Sequence, residues 1–163
     1  MLDLQRLAAH HAAELLRFER ENREWFARSV PDRGDAYFAD FDARHAGLLA
    51  EQATGACHFH VLVDAEGAVL GRFNLVDVAD GEAELGYRVA ERAAGRGVAT
   101  DAVRRVVVLA RQAYGLRRLT AETTLDNAGS LAVLRRTGFT PVGAVSLDGR
   151  PGLRLVRELT ADD

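Results

Sequence analysis

The chain has 163 residues, 28% of them charged and 48% hydrophobic, with a formal net charge of −3. That length suits one domain with a buried core, and that composition excludes disorder as the ground state. No apolar run reaches membrane-spanning length, and the opening MLDLQRLAAHH has neither the basic start nor the apolar core of a secretion signal.

In chain order, LDLQRL alternates as a short strand, and residues 9–28 follow helical spacing through Ala12, Leu15, Leu16 and Phe18. Pro31 and Gly34 break that helix, and a second is predicted over 35–53, with Phe38, Phe41, His45 and Leu48 along one side. HFHVLVD, AVLGRFNLVDV and EAELGYRVA follow as β-rich runs separated by AEG and ADG turns, the pattern of an antiparallel meander. The period turns helical again through TDAVRRVVVLARQAYG. LRRLTAETTL then reads as a strand, NAGSLAVLRRTG as a short helix, and FTPVGAVSL and PGLRLVREL as closing strands. The expected architecture is a single α/β domain over residues 1–163 with a mixed sheet.

Single-residue chemistry is sparse. Cys57 is the one cysteine, so no internal disulfide forms, and no Cys/His cluster has zinc-ligand spacing. Residues 1–81 carry 8 arginines against 14 acids, and residues 82–163 carry 13 against 10, with no lysine anywhere. The basic half suits a polyphosphate ligand and the acidic half a cationic one. No dense basic stripe or aromatic platform points to nucleic acid. The expected setting is cytoplasmic, without metal or membrane.

The strongest local feature is Gly95-Arg96-Gly97-Val98-Ala99, set between a strand and a helix. Small residues allow a tight turn that brings backbone N–H groups up to a ligand, and the following helix points its positive end at the same place. A Walker loop is excluded because it needs a lysine. A dinucleotide fingerprint fails because Thr100 stands where its third glycine belongs.

Glu84-Leu85-Gly86-Tyr87, then Gly95 through Ala102, then Asn127 through Phe139 resemble, in order, the diagnostic motifs of GNAT acetyltransferases. Within that superfamily they are most similar to the RimJ/RimL branch of ribosomal-protein N-terminal acetyltransferases, and FERENR (Phe18 to Arg23) adds to the likeness. The resemblance spans nearly the whole chain. It implies the GNAT fold, a mostly antiparallel sheet flanked by helices, with strands splayed around acetyl-CoA. It further implies transfer of an acetyl group from acetyl-CoA to a primary amine, either a protein N-terminus or a small molecule.

The resemblance also assigns residues. Main-chain groups at Tyr87, Arg88 and Val89 would pair with the pantetheine arm. The N–H groups of Gly95, Arg96, Gly97, Val98, Ala99 and Thr100 would hold the pyrophosphate, with Arg96 and Arg136 as charge partners. Two registers of the family's Q/R-x-x-G-x-G/A pattern are open, one placing Ala94 and the other Arg92 at its first position. Asn127 would orient the cofactor and double as a helix cap, and Ser130 would lie near the sulfur. Many relatives carry a tyrosine four residues after that serine; Leu134 stands there, which leaves the leaving thiolate to Ser130 or solvent. Glu84 and Glu122 rank equally as the base that deprotonates the amine, with His58 and His60 behind them. Trp25 and the aromatics near it are candidates to roof the acceptor. A non-catalytic CoA-binding module is the competing reading, and a monomer or a homodimer is expected.

Overall fold

The computed structural model describes residues 2–163. Its centre is a seven-stranded sheet in the order β1-β2-β3-β4-β5-β7-β6. The strands are β1 (Asp3–Arg6), β2 (His58–Val63), β3 (Val69–Ala79), β4 (Glu82–Val89), β5 (Arg118–Thr124), β6 (Thr140–Leu147) and β7 (Arg150–Glu158). Every adjacent pair is antiparallel except β4 and β5. The meander of β2, β3 and β4 is as the alternation predicts. Its second turn places Asp80 and Gly81 at positive φ (52° and 79°), the mirror-image turn geometry that matches strand twist.

The helices are α1 (Ala12–Glu21), α2 (Arg23–Ala27), α3 (Asp35–Ala39), α4 (Phe41–Thr54), α5 (Val98–Gln112) and α6 (Ala128–Arg136). Two expectations need correcting here, because each predicted N-terminal helix is broken in two. The first breaks at Asn22, whose Nδ2 donates to Phe18 O (2.9 Å) while its Oδ1 accepts from Glu91 N (3.0 Å). That side chain satisfies backbone groups of two segments, so the turn is pinned to the loop after β4 rather than continuing as helix. The second breaks at Asp40, and the offset lets Tyr37 and Phe41 pack edge to face, with centroids 5.8 Å apart. The helix predicted from residue 100 starts two residues earlier, at Val98, and ends at Gln112.

Apolar residues fill both sides of the sheet. On one side α5 buries Ala102, Val103, Val106, Val107 and Ala110, spaced three or four apart, against Phe73, Leu75, Leu85 and Leu119. On the other, Leu15, Phe18, Phe26, Tyr37 and Phe41 cover Phe59, Val61 and Val63. His60 lies beneath the C-terminal end of α5, where its Nε2 shares a 2.6 Å hydrogen bond with Tyr114 Oη, and His58 stacks on the same ring at 3.7 Å. Burial drives the His60 pKa down to about 4. Both histidines serve packing at this end of the sheet rather than acting as bases.

Two charged groups, Glu19 and Arg72, are as buried as the apolar core. Glu19 of α1 is 1% exposed and meets Arg72 of β3 at 2.7 Å, Arg33 at 3.1 Å and Arg88 of β4 at 3.2 Å. Burial raises its pKa, but the three guanidiniums outweigh burial and hold it below the usual carboxylate range. Nothing in the amphipathic pattern of α1 signals this, since an isolated Glu in a helix is ordinarily solvated. Removing one partner of a buried ion pair leaves an uncompensated charge, so Glu19→Gln is expected to cost about 3–5 kcal/mol in urea unfolding.

Candidate functional site

Strands β4 and β5 pair only from Glu82 to Glu84 (with Arg118 to Thr120) and then diverge. Beyond that point β4 continues to Val89 and β5 to Thr124, leaving a wedge between two half-paired edges. Ala90 N donates to Leu70 O (2.8 Å), so Val89 and Gly71 form a non-bonded pair of the antiparallel ladder. The N–H and C=O of Val89, and by alternation those of Tyr87, therefore face the wedge. On the far side Leu125 N donates to Pro151 O (3.0 Å), which turns the main-chain groups of Glu122 and Thr124 toward the wedge as well. Trp25 Nε1 already donates to Val89 O (3.2 Å), showing that this edge accepts hydrogen bonds from outside the sheet.

Two cavities open from the wedge and share Ser29, Val30, Tyr87, Asn127 and Ser130 at their junction. The first, about 350 Å³, runs between Tyr87 to Val89, the loop Ala93 to Thr100, and α6. Its floor is the start of α5. Gly95 and Gly97 have φ of +71° and +76°, a conformation that side chains other than glycine rarely adopt. A Cβ built on either would meet no atom within 4 Å, so the loop presents bare backbone to open space. No side chain caps α5, which leaves the N–H groups of Val98, Ala99 and Thr100 free at the positive end of a long helix. These features fit a pyrophosphate.

The predicted residues are largely brought together here. Arg88, Val89, Gly95, Gly97, Val98, Ala99, Thr100, Asn127, Ser130 and Arg136 all line this cavity. The Arg88 side chain, however, turns to Glu19 and lies over the Phe26 ring, so only its backbone faces the wedge. The Arg96 side chain is exposed and outside the lining, as is that of Arg92. Arg136 on α6 is thus the guanidinium on the wall facing the loop. Asn127 caps α6 by accepting from Ser130 N (3.2 Å), and the same cap positions Ser130 at the cavity junction.

The second cavity, about 490 Å³, lies between β5, the loop carrying Ser29 to Pro31, and the β6–β7 turn at Leu147 to Arg150. Arg150 ties its rim, reaching Asp126 at 2.6 Å and Ser29 O at 3.3 Å. Glu122 lines this cavity and accepts from Arg154 Nη1 at 3.3 Å. Glu84 stands just outside the lining. Its pKa is raised first by burial and then by the negative charge of Glu122, so the two carboxylates act on each other. Trp25 lines the cofactor-side cavity with Phe26, while Tyr37 and Phe41 are core.

The residues that sequence reasoning missed are Glu19, Arg72, Arg150 and the phenol of Tyr87. Tyr87 belongs to a quoted motif, yet only the fold places its Oη 3.2 Å from Ser130 Oγ. No run of sequence signals that pairing.

Among curated proteins the chain is similar to the probable N-acetyltransferase YjcK of Bacillus subtilis, 28% identical over 134 residues, covering 78% of this chain and 74% of that protein. Among solved structures it resembles the ribosomal-protein-S5-alanine acetyltransferase of Vibrio fischeri, with a TM-score of 0.91 at 19% identity over 98% of this chain and 94% of the other. It also resembles Mycobacterium smegmatis RimJ in complex with CoA-disulfide, with a TM-score of 0.86 at 24% identity over 96% and 81%. At these identities the structural likeness speaks for the fold. The family described as Acetyltransferase (GNAT) domain matches residues 2–140, and the chain belongs to that family, as an N-acetyltransferase with acetyl-CoA as its cosubstrate.

Proposed function

We propose that the acceptor is the α-amine of a protein or peptide N-terminus. The observation carrying this reading is the state of the acceptor cavity's acids. Of the two acids that line the cavity, Glu122 is matched by Arg154 at 3.3 Å while Asp148 has no ion-pair partner among the described residues, so the lining offers one unpaired carboxylate rather than the several that a polycation demands. A single ammonium followed by a neutral chain suits it better. The outward-facing N–H and C=O of Glu122 supply main-chain partners for an extended peptide. The name of the Vibrio fischeri structure, a ribosomal-protein-S5-alanine acetyltransferase, agrees with an acceptor of this kind.

In this reading the N–H groups from Gly95 to Thr100 and the Arg136 guanidinium hold the pyrophosphate. The Tyr87–Val89 edge lines up the pantetheine arm, and Asn127 and Ser130 meet its thioester end. The amine must lose a proton to attack, and Glu122, facing the cavity with Glu84 behind it, takes that proton. Burial, and then the negative charge of Glu122, raises the Glu84 pKa.

Thiol release from acetyl-CoA should therefore be faster with peptides bearing free N-termini than with spermidine or free amino acids, by about 10-fold or more in kcat/KM, or about 1.4 kcal/mol. A preference for spermidine would overturn the peptide reading. Glu122→Gln removes the base and should reduce kcat by about 10²-fold, and the Glu84 carboxyl, followed by NMR, should titrate at lower pH once the Glu122 charge that helps to raise it is gone. A wild-type kcat would remove Glu122 as the base, and an unmoved Glu84 titration would show that the two carboxylates are uncoupled. Asn127→Ala should weaken CoA binding in calorimetry while costing about 1 kcal/mol of stability through the lost cap. Unchanged CoA affinity would restrict Asn127 to capping.

A further inference from the structure

Departure of the thiolate needs a proton, and Leu134, one turn after Ser130 on α6, is 1% exposed and unable to donate. The structure supplies a phenol from another element. Tyr87 of β4 stacks on Phe73 (5.6 Å between centroids), which fixes its ring, and its Oη lies 3.2 Å from Ser130 Oγ. Both residues line both cavities, so the pair sits at the junction where an acetyl donor entering from one side meets an amine entering from the other. The Asn127 cap fixes the Ser130 backbone at this junction by accepting from its N–H (3.2 Å).

We propose that Tyr87 and Ser130 form a proton relay to the leaving sulfur, with Tyr87 as the positioning and resupplying member. This rests on the acetyl-transfer reading of the same site. As the amine nitrogen bonds to the acetyl carbon and the C–S bond breaks, the electron pair passes to sulfur. Ser130 Oγ–H gives its proton to that sulfur and takes the Tyr87 Oη–H in turn. The Tyr87 phenolate is reprotonated from water, which balances the proton that the amine has lost to the carboxylate pair. Burial holds the phenol above its ordinary range, opposed by its bond to Ser130, so the hydroxyl stays protonated between turnovers.

Strand alternation separates the two proton transfers. On β4, Leu85 and Tyr87 face the α5 side, where they join its apolar cluster, while Glu84 and Arg88 face the α1 side. The amine gives up its proton on one side of the sheet and the thiol receives one on the other.

Tyr87→Phe keeps the ring and its packing. It is expected to lower kcat by about 10²-fold while leaving the KM for acetyl-CoA within about twofold. Because the two residues act as one unit, Ser130→Ala combined with Tyr87→Phe should be no slower than Ser130→Ala alone. Fluorotyrosine at position 87, with its more acidic phenol, should move the alkaline limb of the kcat profile to lower pH. A Tyr87→Phe enzyme with wild-type kcat, multiplicative losses in the double variant, or an unmoved alkaline limb would each overturn the relay. Wild-type protein that binds acetyl-CoA but releases no thiol with any amine overturns the transfer reading, and the relay with it. In the first three outcomes the transferase survives and only Tyr87 loses its role.

Discussion

Strands β4 and β5 share a parallel ladder from Glu82 to Glu84 and then part, and the site follows from that interrupted pairing. A sheet normally satisfies the main-chain groups of adjacent strands by pairing them with each other. Here the edges of Tyr87 to Val89 and of Glu122 to Thr124 are left facing a gap. Asn127 N takes the Thr124 carbonyl for the turn into α6, which withdraws one group that β4 would otherwise claim. A pantetheine arm carries amide groups that suit such edges, so the gap offers main-chain partners before any side chain is considered.

The buried Glu19 keeps the surroundings of the gap in place. Its carboxylate joins α1 to β3 through Arg72, to β4 through Arg88, and to the loop before α3 through Arg33. Ser29, Val30 and Pro31, a few residues before Arg33, border the acceptor cavity. Arg23 adds an exposed clamp on Asp32 at 2.8 Å and on Asp35 at 2.9 Å. A charge with three partners is directional in a way that apolar packing is not, which suits an element that must hold a loop over a site at one height.

The gap also orders the chemistry. A helix start with free N–H groups lies at one end, and a cavity lined by Glu122 and Asp148 lies at the other. Between them stand a serine whose backbone is fixed by the Asn127 cap and a phenol stacked on Phe73. In the proposed reading the donor's phosphates and the acceptor's ammonium go to opposite ends, so the thioester and the amine meet at the junction and positioning is the site's main contribution.

The GNAT motifs and the alternating runs were legible from residues alone, because a glycine loop, a helix cap and a strand meander are local patterns. They pointed to the sheet class, which the fold bears out, and to the glycine loop and Asn127–Ser130, which line one cavity. The kink at Asn22 was not legible, since its side chain answers to Glu91, far along the chain. The burial of Glu19, the neighbour of Tyr87 and the different surroundings of Glu84 and Glu122 were decided by tertiary structure alone. A carboxylate's burial, a phenol's neighbour and a carboxylate's partner depend on which strands lie side by side, and no local window of sequence contains both members of any of those pairs.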